Sequence, residues 1–452
     1  MLTLAHFDWL YPMTSAPLQD AYLIMQGSEG GGTVLAMGTG EPPNCGGSRW
    51  DMHGTLALPG LVNSHHHLFQ TLTRGYAPNQ GLFAWLQSLF PLWGHLNPEA
   101  IYQSALIGLA ELMLSGCTTT SDHLYIVPEG QDSMRFFEAT IEAAKRLGIR
   151  LYVTRGAMTR GWDHGGRGPS NLIEDEDTVL QNMQDLVNRH HDPSPLAQIK
   201  VALSPVSLPA VSARFMKETA RLAETLDVRL HTHGWETLDE RQWVQNVYGT
   251  TELALFDEWG WLQDRTWFAH AVHANKEVID LLGQRNVAIS HCPTSNMRLG
   301  SGIAPIRSFL DAGNTVALGV DGSASNDGSH LLAEARQALL LARVLGGAAA
   351  MTVEEALHLA TTQGAQALGW PEIGQLAVGL PADVAVFRID DLFHSGAMAP
   401  LEALLFCQPV LAEVVVIGGE VRVWQGKIPG IDWSAEVARH QLLSRQLLET
   451  QK

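Results

Sequence analysis

Cysteine is scarce in this chain of 452 residues, which has only four: Cys45, Cys117, Cys292 and Cys407. So few thiols in so long a sequence do not make the disulfide framework of a small secreted domain. The N-terminal segment MLTLAHFDWLYPM lacks the basic region of a signal peptide, and an Asp and a His interrupt its apolar part. Both absences predict a cytoplasmic protein with reduced thiols.

Positive charge is also scarce, with 29 Lys and Arg against 47 Asp and Glu and a net charge of -18. Nucleic acids and anionic membranes attract basic surfaces, so this balance argues against either as a partner. No apolar run approaches the roughly 20 residues that a transmembrane helix needs. The apolar share of 46% is that of an ordinary globular protein, long enough for one large domain plus a smaller one.

Short β-like segments occupy both ends of the chain. Residues 1 to about 55 alternate such segments with Gly, Pro and Asn turns, and the same pattern returns after about residue 372. The second region includes PADVAVFRID and AEVVVIGGEVRVWQGKI, the latter a predicted hairpin that turns at Gly418-Gly419. We therefore predict a composite β-sandwich domain formed by residues 1–58 and 372–452, with an amphipathic helix at its C-terminal end.

Between these ends, strand-like and helix-like segments alternate. Eight strands are predicted, at residues 56–63, 117–122, 150–155, 198–204, 227–233, 265–270, 286–290 and 315–321. Strands that alternate with helices form parallel sheets, so we predict an α/β fold with a (β/α)8 TIM-like barrel over residues 59–371. An open doubly wound sheet is the alternative. It predicts a glycine-rich phosphate loop after the first strand, where this chain has histidines instead.

The C-terminal ends of the predicted strands carry polar residues, and these ends hold the catalytic groups of such barrels. Four of the eight ends have a potential metal ligand or proton carrier: His65 and His67, His231 and His233, His270, and Asp321. Side chains alternate along a strand, so His65 and His67 share one face and His66 points away from them. Histidines scattered through a core would not favour strand ends, and the pattern therefore predicts a metal site.

The donor types suit a divalent ion. Imidazoles of His65, His67 and His233 with the carboxylate of Asp321 form a set that suits Zn2+, with Fe2+ as the alternative. His231 shares the strand face with His233 and could be the ligand instead. We favour His233 because Glu236 follows it by three residues, where a proton-shuttling carboxylate would be useful.

Five segments resemble motifs of the amidohydrolase superfamily, in its mononuclear deaminase and chlorohydrolase branch. They are PGLVNSHHHLFQTLTRG, HTHGWET, FAHAVH, SHCPTSNMRLGSGIAP and LGVDGSASND, and the terminal PADVAVF is similar to the usual return to the β-domain. Strand 4 has no lysine where binuclear members carry a carboxylated bridging lysine. The resemblance, which covers nearly the whole chain, therefore implies a single metal ion.

The resemblance implies a hydrolytic deaminase. Asp321 and His270 would orient and deprotonate a metal-bound water, which attacks a ring carbon bearing an amino group, and Glu236 would protonate the ring nitrogen. The motifs look most like those of 8-oxoguanine deaminases, so the expected reaction converts 8-oxoguanine to urate and ammonia. Alternatives are a pterin, isoxanthopterin or guanine deaminase and an s-triazine chlorohydrolase or aminohydrolase; a non-catalytic scaffold is the weakest.

Four further residues are candidate contacts to a small, flat purine or pterin substrate. Gln70 could bond a ring carbonyl or nitrogen, and Arg155 could hold an oxo group at the end of strand 3. Trp85 could wall the pocket, and His273 could touch the substrate. A structural role is the alternative for each of the four. We also expect a homodimer or a higher homo-oligomer.

Members of the superfamily usually carry small or aliphatic residues between the strand-5 histidine and the glutamate. This chain has Gly234 and Trp235 there. We expect the indole either to narrow the pocket or to change which ring edge faces the metal. The segment 156–172, rich in Gly and polar residues, is predicted to be either a mobile flap over the pocket or a disordered surface loop.

Overall fold

The computed structural model describes residues 1–27, 31–408 and 410–450. In chain order its strands are β1 (Leu2–Leu10), β2 (Leu18–Gln26), β3 (Thr33–Thr39), β4 (Ser48–Asp51), β5 (Thr55–Pro59), β6 (Leu61–Asn63), β7 (His66–His67), β8 (Cys117–Leu124), β9 (Arg150–Ala157), β10 (Ile199–Pro205), β11 (Arg229–Gly234), β12 (Thr266–His270), β13 (Ala288–His291), β14 (Val316–Leu318), β15 (Asp321–Gly322), β16 (Val384–Arg388), β17 (Val414–Ile417) and β18 (Glu420–Trp424).

The α-helices are α1 (Leu82–Trp93), α2 (Pro98–Leu114), α3 (Ser133–Leu147), α4 (Glu176–His190), α5 (Ala213–Leu226), α6 (Leu238–Tyr248), α7 (Glu252–Glu258), α8 (Lys276–Gln284), α9 (Pro293–Arg298), α10 (Ile306–Asp311), α11 (Leu331–Gly346), α12 (Val353–Leu359), α13 (Thr362–Ala367), α14 (Pro400–Phe406) and α15 (Trp433–Glu449). A 3-10 helix (Leu68–Thr73) follows β7. Within the described part of the chain, no helix is both long and apolar enough to cross a membrane.

Eight parallel strands form the barrel in the order β14-β13-β12-β11-β10-β9-β8-β6, which confirms the predicted fold class. The seam between the first and last strands closes through Ser64, whose backbone N–H donates to the Leu318 carbonyl at 2.9 Å. Beyond this seam, β15 pairs in parallel with β7 and places Asp321 opposite His66. The barrel therefore brings its first and last strand ends together, as a site shared by both ends requires.

Segments from both termini form a separate sheet of eight strands. Its order is β18-β17-β16-β5-β1-β2-β3, with β4 beside β1. A cluster of buried apolar residues belongs to this sheet, and a larger cluster belongs to the barrel and its helices. The proposed domain ranges 1–58 and 372–452 include residues 28–30, 409, 451 and 452, which lie outside the described residues.

The predicted first strand, residues 56–63, is divided between the two sheets. β5 pairs with β16 in the terminal sheet, whereas β6 pairs with β8 in the barrel. The chain crosses between the sheets at Gly60, where a Cβ atom would lie only 2.1 Å from the Thr118 hydroxyl oxygen. A close approach of this kind requires glycine. A continuous apolar run hides such a division, because both halves are buried.

A buried ion pair joins the barrel to the terminal sheet. Arg150 in β9 binds Asp383, with Nε 2.7 Å from Oδ2 and Nη2 3.1 Å from Oδ1, and both side chains are almost fully buried. Asp383 also accepts a hydrogen bond from the backbone N–H of Gly418 at 2.8 Å. Removing the charge of one partner leaves the other charge buried without compensation.

We expect Asp383→Asn to lower the free energy of unfolding by about 3 kcal/mol for this reason. Urea denaturation followed by fluorescence measures the change. The matched control is Asp280→Asn, which breaks an exposed 2.7 Å pair with Lys276 and is expected to change stability by less than about 0.5 kcal/mol. Equal shifts in the two variants would contradict a role for Asp383 in holding the sheets together.

Candidate active site

The four predicted metal ligands converge at the C-terminal ends of the barrel strands. His65 Nε2 and His67 Nε2 each lie 3.2 Å from Asp321 Oδ1, and His67 Nε2 lies 3.2 Å from His233 Nε2. All four side chains are buried. β7 supplies His67 and its neighbour β15 supplies Asp321, whereas His65 lies directly before β7 and His233 lies in β11.

Hydrogen bonds behind the histidines determine which ring nitrogen faces the centre. Nδ1 of His67 donates to the His123 carbonyl at 2.7 Å, and Nδ1 of His233 donates to the Val206 carbonyl at 2.6 Å. A neutral imidazole that donates through Nδ1 carries a lone pair on Nε2. Both histidines therefore present an Nε2 lone pair to the cluster, as a metal ligand must.

His65 also presents an Nε2 lone pair to the cluster, because its Nδ1 donates a hydrogen bond to His231. Nδ1 of His231 donates to the Trp267 carbonyl at 2.8 Å, so its Nε2 accepts from Nδ1 of His65, also at 2.8 Å. This leaves the lone pair of His65 Nε2 pointing to the centre, and that fully buried atom has no hydrogen-bond partner among the described residues. Three imidazole lone pairs beside one carboxylate fit a divalent metal ion, and His231 holds the predicted ligand His65 from behind.

His123, at the end of β8, also belongs to this cluster. It groups with His65, His67 and His233 as a set whose potential ligand atoms all lie within 4.8 Å of one another. Its Nε2 donates to the Ser204 carbonyl at 3.0 Å, and its buried Nδ1 has no partner among the described residues. The predicted strand ends at Asp122, one residue before His123 and two before the end of β8, although a histidine at a strand end is the signal that identifies the other site residues.

Two potential proton carriers, His270 and Glu236, lie beside the cluster. His270 Nε2 lies 3.7 Å from Glu236 Oε2 and 3.9 Å from Asp321 Oδ2, and its Nδ1 donates to Asn296 Oδ1 at 2.9 Å. Ser295 donates to Asp321 Oδ2 at 2.6 Å. The imidazole therefore has its Nε2 lone pair directed between two carboxylates, an arrangement suited to moving a proton.

Burial and neighbouring groups set the charge of the two carboxyls. Burial raises the pKa of Glu236, and this outweighs the opposing effect of His270. Burial also acts to raise the pKa of Asp321, but the adjacent imidazoles of His65, His67 and His270 hold that pKa well below its usual value. One carboxyl is thus inclined to hold a proton, whereas the other is an anion that can bind a cation.

Left-handed backbone at the strand ends directs the site residues. His270 has a φ of 75° and Asp321 a φ of 59°, backbone conformations that residues other than glycine seldom adopt. Such strain is characteristic of functional sites, where the surrounding structure maintains it. Sequence alternation alone would not have oriented these two side chains.

A cavity of about 680 Å³, including its open mouth, lies over the cluster. Its walls are mainly apolar, and its polar residues include His67, His233, Glu236, His270 and Asp321. The apolar walls include Leu82, Phe83, Trp85, Leu86, Phe90 and Tyr125. Its size and lining are those of a pocket for a small ligand.

Two of the four predicted substrate contacts line this cavity. Gln70 accepts a hydrogen bond from the backbone N–H of Ala324 at 3.3 Å, and Trp85 donates to the carbonyl of the same residue at 3.2 Å. Both side chains are therefore held against the loop after β15. Gly322 makes room for this, because a Cβ there would lie 1.8 Å from Gln70 Oε1.

Arg155 and His273 do not line the cavity. The Arg155 guanidinium lies 4.9 Å from the ring centre of Phe137 in α3 and binds Glu174 with Nη2–Oε1 at 2.7 Å. Arg155 thus points away from the cavity, toward α3. This position does not support the predicted contact between Arg155 and the substrate. His273, whose carbonyl accepts a hydrogen bond from Arg241, lies beyond the cavity wall.

A different arginine reaches the cavity. Arg167 belongs to the predicted flap, residues 156–172, and its guanidinium lies over the ring of Phe83 at 4.2 Å. The segment is anchored where Trp243 donates to the Gly165 carbonyl at 3.1 Å. The predicted segment therefore contributes a cation to the cavity that sequence reasoning did not single out.

Trp235 does not narrow the cavity. Its indole packs against Phe256 and Phe268, with ring centres 5.3 and 5.0 Å away, on the side opposite the metal ligands. A left-handed φ of 52° at Trp235 turns the side chain in this direction. A Cβ at Gly234 would lie 3.1 Å from Phe268, so this packing favours glycine there.

This chain is similar to known proteins along most of its length. The model of the amidohydrolase family matches residues 56–421. The 8-oxoguanine deaminase of Pseudomonas aeruginosa is 43% identical over 424 residues, 93% of this chain and 94% of that protein. An isoxanthopterin deaminase from an unknown prokaryotic organism is 36% identical over 82% of this chain and 80% of its own length.

Solved structures agree with the sequence comparisons. Atrazine chlorohydrolase from Arthrobacter aurescens TC1, complexed with zinc, superposes with a TM-score of 0.92 at 33% identity. The superposition covers 98% of this chain and 100% of that chain. The similarity thus extends over both the barrel and the terminal sheet.

Proposed function

Since this chain belongs to the amidohydrolase family, we propose that it is a metal-dependent deaminase that converts 8-oxoguanine and water to urate and ammonia. The observation that carries the proposal is the similarity to an 8-oxoguanine deaminase along nearly the entire chain. The buried arrangement of Glu236, His270 and Asp321 supports it, because removal of an amino group needs proton transfer at both the ring and the nitrogen.

His65, His67, His233 and Asp321 would hold one divalent ion, which we propose to be Zn2+ with Fe2+ as the alternative. When bound, such an ion would act as a Lewis acid that makes water nucleophilic at neutral pH. The four donors suit this role because three are imidazole nitrogens with free lone pairs and the fourth is a carboxylate held as an anion.

Three residues of the chain are proposed to transfer the protons. Asp321 and His270 receive protons from the attacking water, and Glu236 delivers one to the ring nitrogen next to the amino-bearing carbon. A carbon–oxygen bond forms, the carbon–nitrogen bond breaks, and the amino group leaves as ammonia after a second proton transfer. Asn296 keeps His270 in the required tautomer by accepting from its Nδ1.

The cavity walls orient the substrate. A flat ring system would lie between the apolar side chains, with Gln70 available to bond a ring carbonyl or nitrogen. The nearly complete burial of Glu236 and His270 excludes bulk water from the proton path and strengthens the electrostatic interactions there.

Ammonia release tests the proposal directly. The purified, metal-loaded protein is assayed with 8-oxoguanine, guanine, isoxanthopterin and a chloro-triazine side by side. We expect rapid release from 8-oxoguanine, with urate as the second product by ultraviolet absorbance. Turnover of isoxanthopterin alone, or of no substrate despite bound metal, would overturn the substrate assignment.

A dechlorinating hydrolase is the second candidate, because of the structural similarity to an atrazine chlorohydrolase. Chloride leaves without a proton, whereas an amine does not, so the pair Glu236 and His270 favours deamination. Chloride release from the chloro-triazine arm of the same assay, without ammonia release from any purine, would establish the second candidate instead.

The two arginines near the cavity are expected to behave in opposite ways. Arg155→Met leaves the partly buried Glu174 carboxylate unpaired and should lower the thermal midpoint by roughly 5 °C without changing KM. Arg167→Met removes a cation from the cavity wall and should raise KM roughly tenfold. Thermal denaturation and steady-state kinetics distinguish the two effects. A raised KM in Arg155→Met would restore that residue as a substrate contact.

A further inference from the structure

Glu240 is a buried carboxylic residue of the cavity that the reaction described above does not use. It lies in the first turn of α6, where its backbone N–H donates to the Thr237 hydroxyl at 3.2 Å. The residue is 3% exposed and lines the same cavity as Glu236 and His270. Among the described residues, no group forms a hydrogen bond or an ion pair with its carboxyl oxygens.

An unpartnered carboxyl group in this position is unfavourable for the free protein. Burying a polar group without a hydrogen bond costs free energy, and a ligand that forms hydrogen bonds with the carboxyl would remove that cost. Arg167, which lines the same cavity, is not within ion-pair distance of it and lies instead over Phe83. Glu240 is therefore available to a ligand.

The surroundings of Glu240 determine its protonation. Burial raises the pKa of Glu240 well above its usual value, and the nearby carboxyls of Glu252 and Glu236 raise it further. A protonated carboxyl offers one O–H donor and one acceptor oxygen side by side. That pair is complementary to an N–H group next to a C=O group, the pattern of a lactam or cyclic urea.

Glu240 and Glu236 line the same cavity but have different neighbours. The charged neighbours of Glu236 are His270, Asp321 and His67, whereas those of Glu240 are Glu252 and Glu236. Glu236 Oε2 lies 3.7 Å from His270 Nε2, whereas among the described residues no ion pair joins Glu240 to His270 or to a predicted metal ligand. A purine whose amino-bearing carbon is at the metal ligands extends its five-membered ring away from them.

We propose that Glu240 is a specificity-determining residue that forms two hydrogen bonds with the substrate edge remote from the reacting amino group, an edge where N–H adjoins C=O. The inference rests on the proposed function, because 8-oxoguanine has this edge on its five-membered ring. Guanine has a single polar group at the corresponding edge. Glu240 therefore favours the oxidised purine over the unoxidised one.

The test compares 8-oxoguanine with guanine in the metal-loaded wild type, Glu240→Leu and Glu240→Gln. Glu240→Leu is expected to lower kcat/KM roughly 100-fold for 8-oxoguanine and roughly tenfold for guanine, because two hydrogen bonds are lost in one case and one in the other. The amide of Glu240→Gln keeps a donor beside an acceptor. This variant is therefore expected to restore most of the wild-type ratio of kcat/KM for 8-oxoguanine to kcat/KM for guanine.

Metal content and thermal midpoint separate this role from a structural one. Glu240→Leu replaces an unpartnered buried carboxyl with an apolar side chain, so the thermal midpoint is expected to stay the same or rise. A ratio that remains at the wild-type value in Glu240→Leu, or that Glu240→Gln does not restore, overturns the inference while deamination stands. A wild type that deaminates neither purine overturns the proposed function, and the inference with it.

Discussion

Glu236→Gln is expected to lower kcat for 8-oxoguanine by roughly 1,000-fold, because general acid–base catalysis contributes about 100- to 10,000-fold. The amide fills the same space and keeps a hydrogen bond to the ring, but its N–H groups are not acidic enough to transfer a proton. Metal content is expected to remain at one ion per chain, since Glu236 is not among the four proposed ligands. Steady-state ammonia release and atomic absorption measure the two quantities on the same preparation.

A matched control separates proton transfer from the loss of any buried charge. Glu252 is also a buried glutamate, but it lies outside the cavity and accepts a hydrogen bond from the Trp235 backbone at 3.3 Å. Burial raises the pKa of Glu252 to about 7. Glu252→Gln preserves that acceptor and is expected to leave kcat close to the wild-type value. Unchanged turnover in Glu236→Gln would refute the proton-transfer role.

His67→Gln is expected to abolish both metal binding and deamination. An amide is a far weaker ligand for Zn2+ than an imidazole, and loss of one of four donors should weaken binding more than roughly 100-fold. Activity should fall to the detection limit, since the Lewis acid is lost with the metal. Atomic absorption after dialysis, together with the ammonia assay, checks the prediction.

The preceding residue provides the control. His66 is buried like His67, but its Nε2 is bonded to the Ser329 hydroxyl at 3.1 Å, away from the metal ligands. Burial lowers the pKa of His66 to about 3, so its imidazole is neutral. His66→Gln is therefore expected to retain one metal ion per chain. Loss of metal from both variants would mean that the substitutions disrupt the strand rather than remove a ligand.

The sequence by itself determined the fold class and the convergence of the proposed ligands. His65, His67, His233 and Asp321 each lie at the end of a predicted strand or within a few residues of it, and parallel barrel strands bring their C-terminal ends to one face. That inference needs only the positions of the strand ends, which are local properties. Strand-end prediction is accurate to a residue or two, which is why His123 was missed by one position.

The direction of side chains in a fully buried strand could not be predicted from the sequence in the same way. All eight residues of β9 are buried, so alternation of polar and apolar residues gives no sign of which face meets the interior. Arg155 consequently looked like a ligand for the substrate, although the barrel directs it to α3. The division of residues 55–63 between two sheets is hidden for the same reason.

Only the tertiary structure decided how the surroundings of the site are arranged. Trp235 is turned from the cavity by a left-handed backbone, and Glu240 enters it from the first turn of α6. Arg167 comes from the segment 156–172, which the sequence predicted to be either a mobile flap over the pocket or a disordered surface loop. These positions depend on long-range packing between elements far apart in the chain, whereas the strand-end motifs depend on neighbouring residues. The proposed catalytic and metal-binding residues could therefore be predicted from the sequence, whereas the other side chains around the cavity could be identified only from the tertiary structure.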